Sequence, residues 1–94
     1  MILFSPDALA DIERLRGFLE EKSPEAAKRA LSVLWAGLEK LGDFPALGAP
    51  TTNPEIRQLV VRFASSAYVV RYTELAASMD ILVLRIWHGR EARV

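Results

Sequence analysis

The chain is predicted to fold as an α+β domain: a short N-terminal strand, an antiparallel helical hairpin, then a three-stranded antiparallel meander, in the order βααβββ. Three observations predict it. Ser5-Pro6 and Ser23-Pro24 each open a stretch with apolar residues at three- and four-residue steps. A cluster of breakers (Pro45, Gly48, Pro50, Asn53, Pro54) follows. Three runs dense in Val, Ile, Leu and aromatic residues close the chain.

The apolar run at residues 2–4 reads as the short strand. Ser5-Pro6-Asp7 combines a capping hydroxyl, a proline where no amide donor is needed and an acid at the positive helix end. Leu9, Ile12, Leu15 and Leu19 then form one stripe, which predicts an amphipathic helix to about Lys22. Ser23-Pro24-Glu25 repeats the start signal. Ala27, Ala30, Leu31, Leu34, Leu38 and Leu41 make the second stripe, with Gly42 as its expected C-terminal cap. Small residues at Ala26, Ala27 and Ala30 permit close approach near the turn, and Phe18 and Trp35 supply bulk further along, in positions open to the core.

After the loop, strands are expected over residues 56–63, 68–73 and 81–88. Connections as short as Ala64-Ser65-Ser66-Ala67 and residues 74–80 favour hairpins over helical crossovers. Alternation puts Leu59, Val61 and Phe63 on one face of the first run, and Leu82, Leu84 and Ile86 on one face of the last, opposite Arg85 and Trp87.

With 94 residues, a single domain over 1–94 is expected. The hydrophobic fraction of 51% suffices for a core, yet no run approaches the roughly 18 apolar residues of a membrane span. The start Met1-Ile2-Leu3-Phe4 lacks the basic flank and long apolar run of a signal peptide, so a cytoplasmic location is expected. Cysteine is absent, which excludes disulfides, thiolate catalysis and the common zinc-finger patterns. No metal or cofactor is expected.

Formal net charge is zero, unusual for a protein whose main task is gripping phosphate backbones. All six basic residues after position 47 are arginines (Arg57, Arg62, Arg71, Arg85, Arg90, Arg93), whose planar fork suits carboxylate or phosphate. They read either as solvated sheet residues or as a recognition set, with Arg71, Arg85, Arg90 and Arg93 the expected contacts to a target.

Five segments, in order, resemble ParE-like members of the RelE/ParE toxin superfamily. They are Asp11-Ile12 through Phe18 with Pro24-Glu25-Ala26-Ala27-Lys28-Arg29; Leu41, Phe44-Pro45 and Gly48; Ile56-Arg57-Gln58-Leu59; Tyr68-Val69-Val70-Arg71-Tyr72; and Ile81-Leu82-Val83-Leu84-Arg85-Ile86-Trp87-His88-Gly89-Arg90. The resemblance covers nearly the whole chain. It implies a type II toxin of RelE/ParE-like βααβββ fold, silenced in a hetero-oligomer by a cognate, ParD-like or similar, antitoxin. Phe18, Leu31, Trp35, Arg62, Tyr68 and Trp87 are the residues expected to meet that antitoxin.

Members of this superfamily either poison DNA gyrase, as ParE-like toxins do, or cleave mRNA on the ribosome, as RelE-like toxins do. Cleavage needs an acid, a base and cations around one phosphate, for which His88, Arg57, Arg71 and Arg90 are the candidates. The chain departs from the RelE-like pattern: it has no lysine after Lys40, no aromatic residue after Trp87 and no basic net charge. His88 also fits a structural role at the end of its strand, and Tyr68 and Tyr72 fit half-buried sheet positions as well as base stacking. The expectation is a gyrase-binding toxin without chemistry of its own. The alternatives are a ribosome-dependent endoribonuclease and a non-toxic antitoxin-binding module; direct nucleic-acid binding stays open.

Overall fold

In the computed structural model, which describes residues 1–91, the chain runs through β1 (Ile2–Phe4), α1 (Pro6–Lys22), α2 (Pro24–Asp43), β2 (Ala49–Pro50), β3 (Arg57–Phe63), β4 (Ser66–Leu75) and β5 (Asp80–His88). Both helices start where the serine–proline pairs predict. Ser5 Oγ accepts the Ala8 amide at 3.0 Å and Ser23 Oγ accepts the Ala26 amide at 3.2 Å, each satisfying an amide the helix cannot. Ser5 also donates to the Leu84 carbonyl at 2.9 Å, which fixes the start of α1 against β5.

The strands form one mixed sheet in the order β1-β5-β4-β3-β2. The meander β3-β4-β5 is its antiparallel centre; β1 joins parallel to β5, with Leu3 opposite Leu82. The two-residue β2, inside the stretch expected to be pure loop, pairs with β3 through Ala49–Gln58 and Pro50–Arg57. The hairpin between β3 and β4 is tighter than expected, because Phe63 pairs with Ser66 and only Ala64 and Ser65 turn the chain. Ala64 takes φ 53°, the left-handed region a two-residue hairpin needs and a non-glycine residue resists.

One register shift overturns the expected facing of β5. Arg71 pairs with Arg85 but Tyr72 pairs with Val83, so β5 carries an extra residue there, a β-bulge. The parity of β5 flips across it. Ile81, Val83 and Ile86 enter the core, whereas Leu82 and Leu84 remain partly exposed. On β3, Val61 is buried and Leu59 and Phe63 pack against the core, as alternation predicts.

The core lies between this face and the helices, α1 packing on β5 and α2 on β3. A Cβ at Gly37 would come within 2.8 Å of Val61 Cγ2, so glycine there lets α2 close onto the sheet. Gly42 lies inside α2 rather than capping it; the helix ends at Asp43 and Phe44 caps it, its amide reaching the Lys40 carbonyl at 2.8 Å. Leu9 is 53% exposed, and its expected place in the α1 stripe is taken by Ala8, Asp11 and Leu15. Phe18 and Trp35 also lie outside the core, 48% and 49% exposed. No helix among the described residues is long and apolar enough to cross a membrane.

Candidate functional site

Asp11 is the one buried acidic side chain among the described residues, 1% exposed on the inner face of α1. Its Oδ2 accepts the Ile86 amide at 2.8 Å and Arg85 Nε at 2.8 Å; its Oδ1 accepts Arg85 Nη2 at 3.1 Å and Arg14 Nη1 at 2.6 Å. Burial opposes its ionisation. The hydrogen bonds from Arg85, the Ile86 amide and Arg14 outweigh that and hold its carboxyl at about 2. Arg14 extends the network to the Ile86 carbonyl at 3.3 Å and to Glu91 at 3.0 Å. Beyond the end of β1, α1 therefore takes the place of a neighbouring strand along β5. Arg85, expected to contact a target, is committed to this internal anchor. Sequence reasoning missed Asp11; the available signal was an acid three residues after Ala8 and four before Leu15, on the buried side of a helix.

β5 ends at His88, half-buried and edge-on to its register partner Tyr68, with ring centroids 5.4 Å apart. Its Nδ1 accepts the Arg90 amide at 3.1 Å, while the Gly89 amide donates to the Ala67 carbonyl at 2.7 Å. This turn and the last turn of α1 enclose a groove of about 300 Å³ lined by Phe18, Lys22, Ser66, His88, Arg90 and Glu91 among others. Lys22 Nζ sits 4.9 Å above the Phe18 ring.

The other nuclease candidates lie elsewhere. Arg57 pairs with Tyr72, four residues along β4 from Tyr68, which separates it from His88 by about 13 Å of strand. Its Nη1 donates to the Gly48 carbonyl at 2.8 Å and helps fix the loop after α2. Tyr72, fully buried, pins that loop too: its hydroxyl donates to the Pro45 carbonyl at 2.7 Å and accepts the Gly48 amide at 2.8 Å. A wider groove of about 760 Å³ opens beside it, lined by Pro45, Pro54, Glu55, Arg57, Tyr72 and Glu74 among others.

Arg71 is on the sheet face turned away from the helices. Its guanidinium lies 4.9 Å over the Trp87 ring and its Nε donates to Gln58 Oε1 at 3.1 Å. Of the four nuclease candidates only His88 and Arg90 line a shared groove, while Arg57 is tied to the Gly48 carbonyl and Arg71 lies over Trp87 on the outward sheet face. Among the residues expected to meet an antitoxin, Phe18, Trp35 and Arg62 are exposed and Leu31 is partly exposed. Tyr68 is corrected: at 2% exposure it belongs to the core, because β4 turns it toward the helices. Trp87 is 8% exposed, with Arg71 over its ring. Arg93 lies outside the described residues.

The family model for the ParE toxin of the type II toxin-antitoxin system parDE matches residues 2–93. Toxin RelE1 of Caulobacter vibrioides is 40% identical over 92 residues, covering 98% of this chain and 96% of that one. Toxin RelE3 of the same organism is 31% identical, covering 94% and 92%. Among solved structures, one described as the chromosomal ParDE TA system from P. aeruginosa has the same fold, with a TM-score of 0.70, 19% identity and 90% coverage of both chains.

Proposed function

Taking as premise that the chain belongs to the ParE toxin family of type II toxin-antitoxin systems, we propose that it arrests growth by docking on DNA gyrase and is neutralised by a cognate antitoxin. The observation that carries this reading is the dispersal of the candidate catalytic residues. General acid–base cleavage of RNA requires proton-transfer groups and cations within hydrogen-bond reach of one phosphate. Arg57 is tied to a loop carbonyl at one end of β3, Arg71 lies on the outward sheet face, and His88 and Arg90 sit at the far end of β5. A docking toxin needs no such convergence.

An antitoxin partner fits the exposed apolar surface. Leu9, Phe18, Trp35 and Phe44 project from the helices and the loop behind them, and Trp35 stacks on Phe4 at the β1 edge with centroids 5.8 Å apart. Beyond Gln58, β3 has no strand on its outer side among the described residues, an edge to which an extended segment can add.

The test is a supercoiling reaction with purified toxin. Inhibition, or gyrase trapped on cleaved DNA, is expected, with relief on adding the antitoxin; unimpaired supercoiling at excess toxin contradicts the reading. One observation favours a ribosome-dependent endoribonuclease as second reading: His88, Arg90 and Lys22 share a groove beside Phe18. In that case mRNA is cut in the ribosomal A site, and the cut is lost in His88→Ala.

A further inference from the structure

Among the described residues no layer covers the outward face of the sheet, and the charges at its centre have one sign. Its central positions on β3 and β4 are Gln58, Val60 and Arg62, paired with Arg71, Val69 and Ala67, and Val60 is 46% exposed. Neither set includes a carboxylate.

Arg71 is held ready for a partner. Long arginine side chains lose rotamer freedom when they bind, and that loss weakens association unless it has been met beforehand. Here the Trp87 ring supports the guanidinium plane at 4.9 Å and Gln58 Oε1 takes its Nε at 3.1 Å. The terminal nitrogens make no further hydrogen bond among the described residues, which leaves them able to donate to a carboxylate in bidentate fashion. Arg62, also exposed, has no ion pair or hydrogen bond among the described residues and supplies a second positive charge on the adjacent strand.

We infer that this outward face, centred on Arg71 with Arg62 and Val60, is the surface that docks an acidic, partly apolar segment of the protein target. The inference rests on the target being a protein and deepens that reading. Two features favour protein over RNA. Single-stranded nucleic acid is held by open aromatic platforms and a basic track. On this face Trp87 is 8% exposed beneath Arg71, and valines separate the arginines. The antitoxin is assigned to the opposite side, where Phe18 and Trp35 lie on the helices; this takes Arg62 and Trp87 out of the set expected to meet it and gives them to the target face, so the two functions separate by face.

The test compares wild type with Arg62→Glu, Arg71→Glu and the double variant in growth arrest, gyrase inhibition, ribosomal mRNA cleavage and capture by the co-expressed antitoxin. Arg62→Glu removes no hydrogen bond or ion pair among the described residues, so it keeps the test valid even where Arg71→Glu disturbs Trp87. Each variant is expected to need about tenfold more toxin for arrest, as charge reversal at an interface does, with antitoxin capture unchanged. Full toxicity in the double variant overturns the inference, as does a parallel loss of antitoxin capture or loss of an mRNA-cleaving activity. If wild type arrests growth without touching gyrase, the gyrase reading falls. The docking surface is then still judged by whether the variants lose arrest.

Discussion

The carboxylate of Asp11 on α1 receives Arg85 Nε from β5 at 2.8 Å, joining residues 74 positions apart in the sequence. The same carboxylate caps the Ile86 amide, so the pair fixes how the first helix lies along the last strand. Buried carboxylates with this many donors are costly to disturb, because the donors lose their partner where water cannot replace it.

Asp11→Asn is therefore expected to destabilise the fold by about 3 kcal/mol, lowering Tm by about 10 °C or more for a domain of this size. Thermal unfolding followed by circular dichroism checks it. Arg85→Ala should lower Tm in the same direction, which distinguishes an anchor from a residue serving only the target.

Acid stability follows from the same group. The folded carboxyl titrates at about 2, below its ordinary 3.8. A depressed carboxyl contributes stability that is complete above the ordinary value and is lost as pH falls toward the folded one. About 2 kcal/mol should therefore disappear between about pH 4 and pH 2. Urea titrations across that window should find this slope in wild type and a shallower one in Asp11→Asn.

The loop behind α2 depends on contact between Gly48 and Tyr72. A Cβ at Gly48 would meet the Tyr72 ring and hydroxyl at 2.8 Å and the Gln58 carbonyl at 2.9 Å. Gly48→Ala is expected to cost about 2 kcal/mol, within the range for overpacking a tight site. Tyr72→Phe, which strips the Gly48 amide and Pro45 carbonyl of their shared partner, should cost a similar amount, about 1–3 kcal/mol. Chemical denaturation midpoints read both.

At the β3–β4 turn the sign reverses. Ala64 holds φ 53°, a conformation that costs about 1–2 kcal/mol for a residue with a Cβ and little for glycine. After glycine's larger unfolded-state entropy is subtracted, Ala64→Gly is expected to raise stability by about 0.5 kcal/mol. A lower Tm in that variant would contradict the turn geometry.

How much of this was legible in the sequence depends on the range of the interactions. Ser5-Pro6 and Ser23-Pro24 announce helix starts because capping acts within three residues. The alternation Leu59, Val61, Phe63 reads true because β3 keeps one register throughout. β5 does not. Ile81-Leu82-Val83-Leu84 is apolar at both parities, so nothing in the pattern marks the bulge that sends Ile81 and Val83, rather than Leu82 and Leu84, into the core. Asp11 showed in the sequence only as an acid on the buried side of a helix, because the partners that anchor it to the sheet, Arg85 and the Ile86 amide, lie 74 and 75 positions away. Tyr68, expected to be half-buried and to meet the antitoxin, lies fully in the core, and a tyrosine in a strand carries no mark of which face meets the helices.

The central claim is that the toxin works by binding a protein and not by cleaving RNA, and His88 is the sharpest place to test it. Expressed without antitoxin, wild type and His88→Ala should arrest growth alike. Plasmid from both cultures should lose negative supercoils while ribosome-bound mRNA stays intact. Restored growth in His88→Ala, with mRNA cleavage in wild type and unchanged plasmid topology, would contradict the claim.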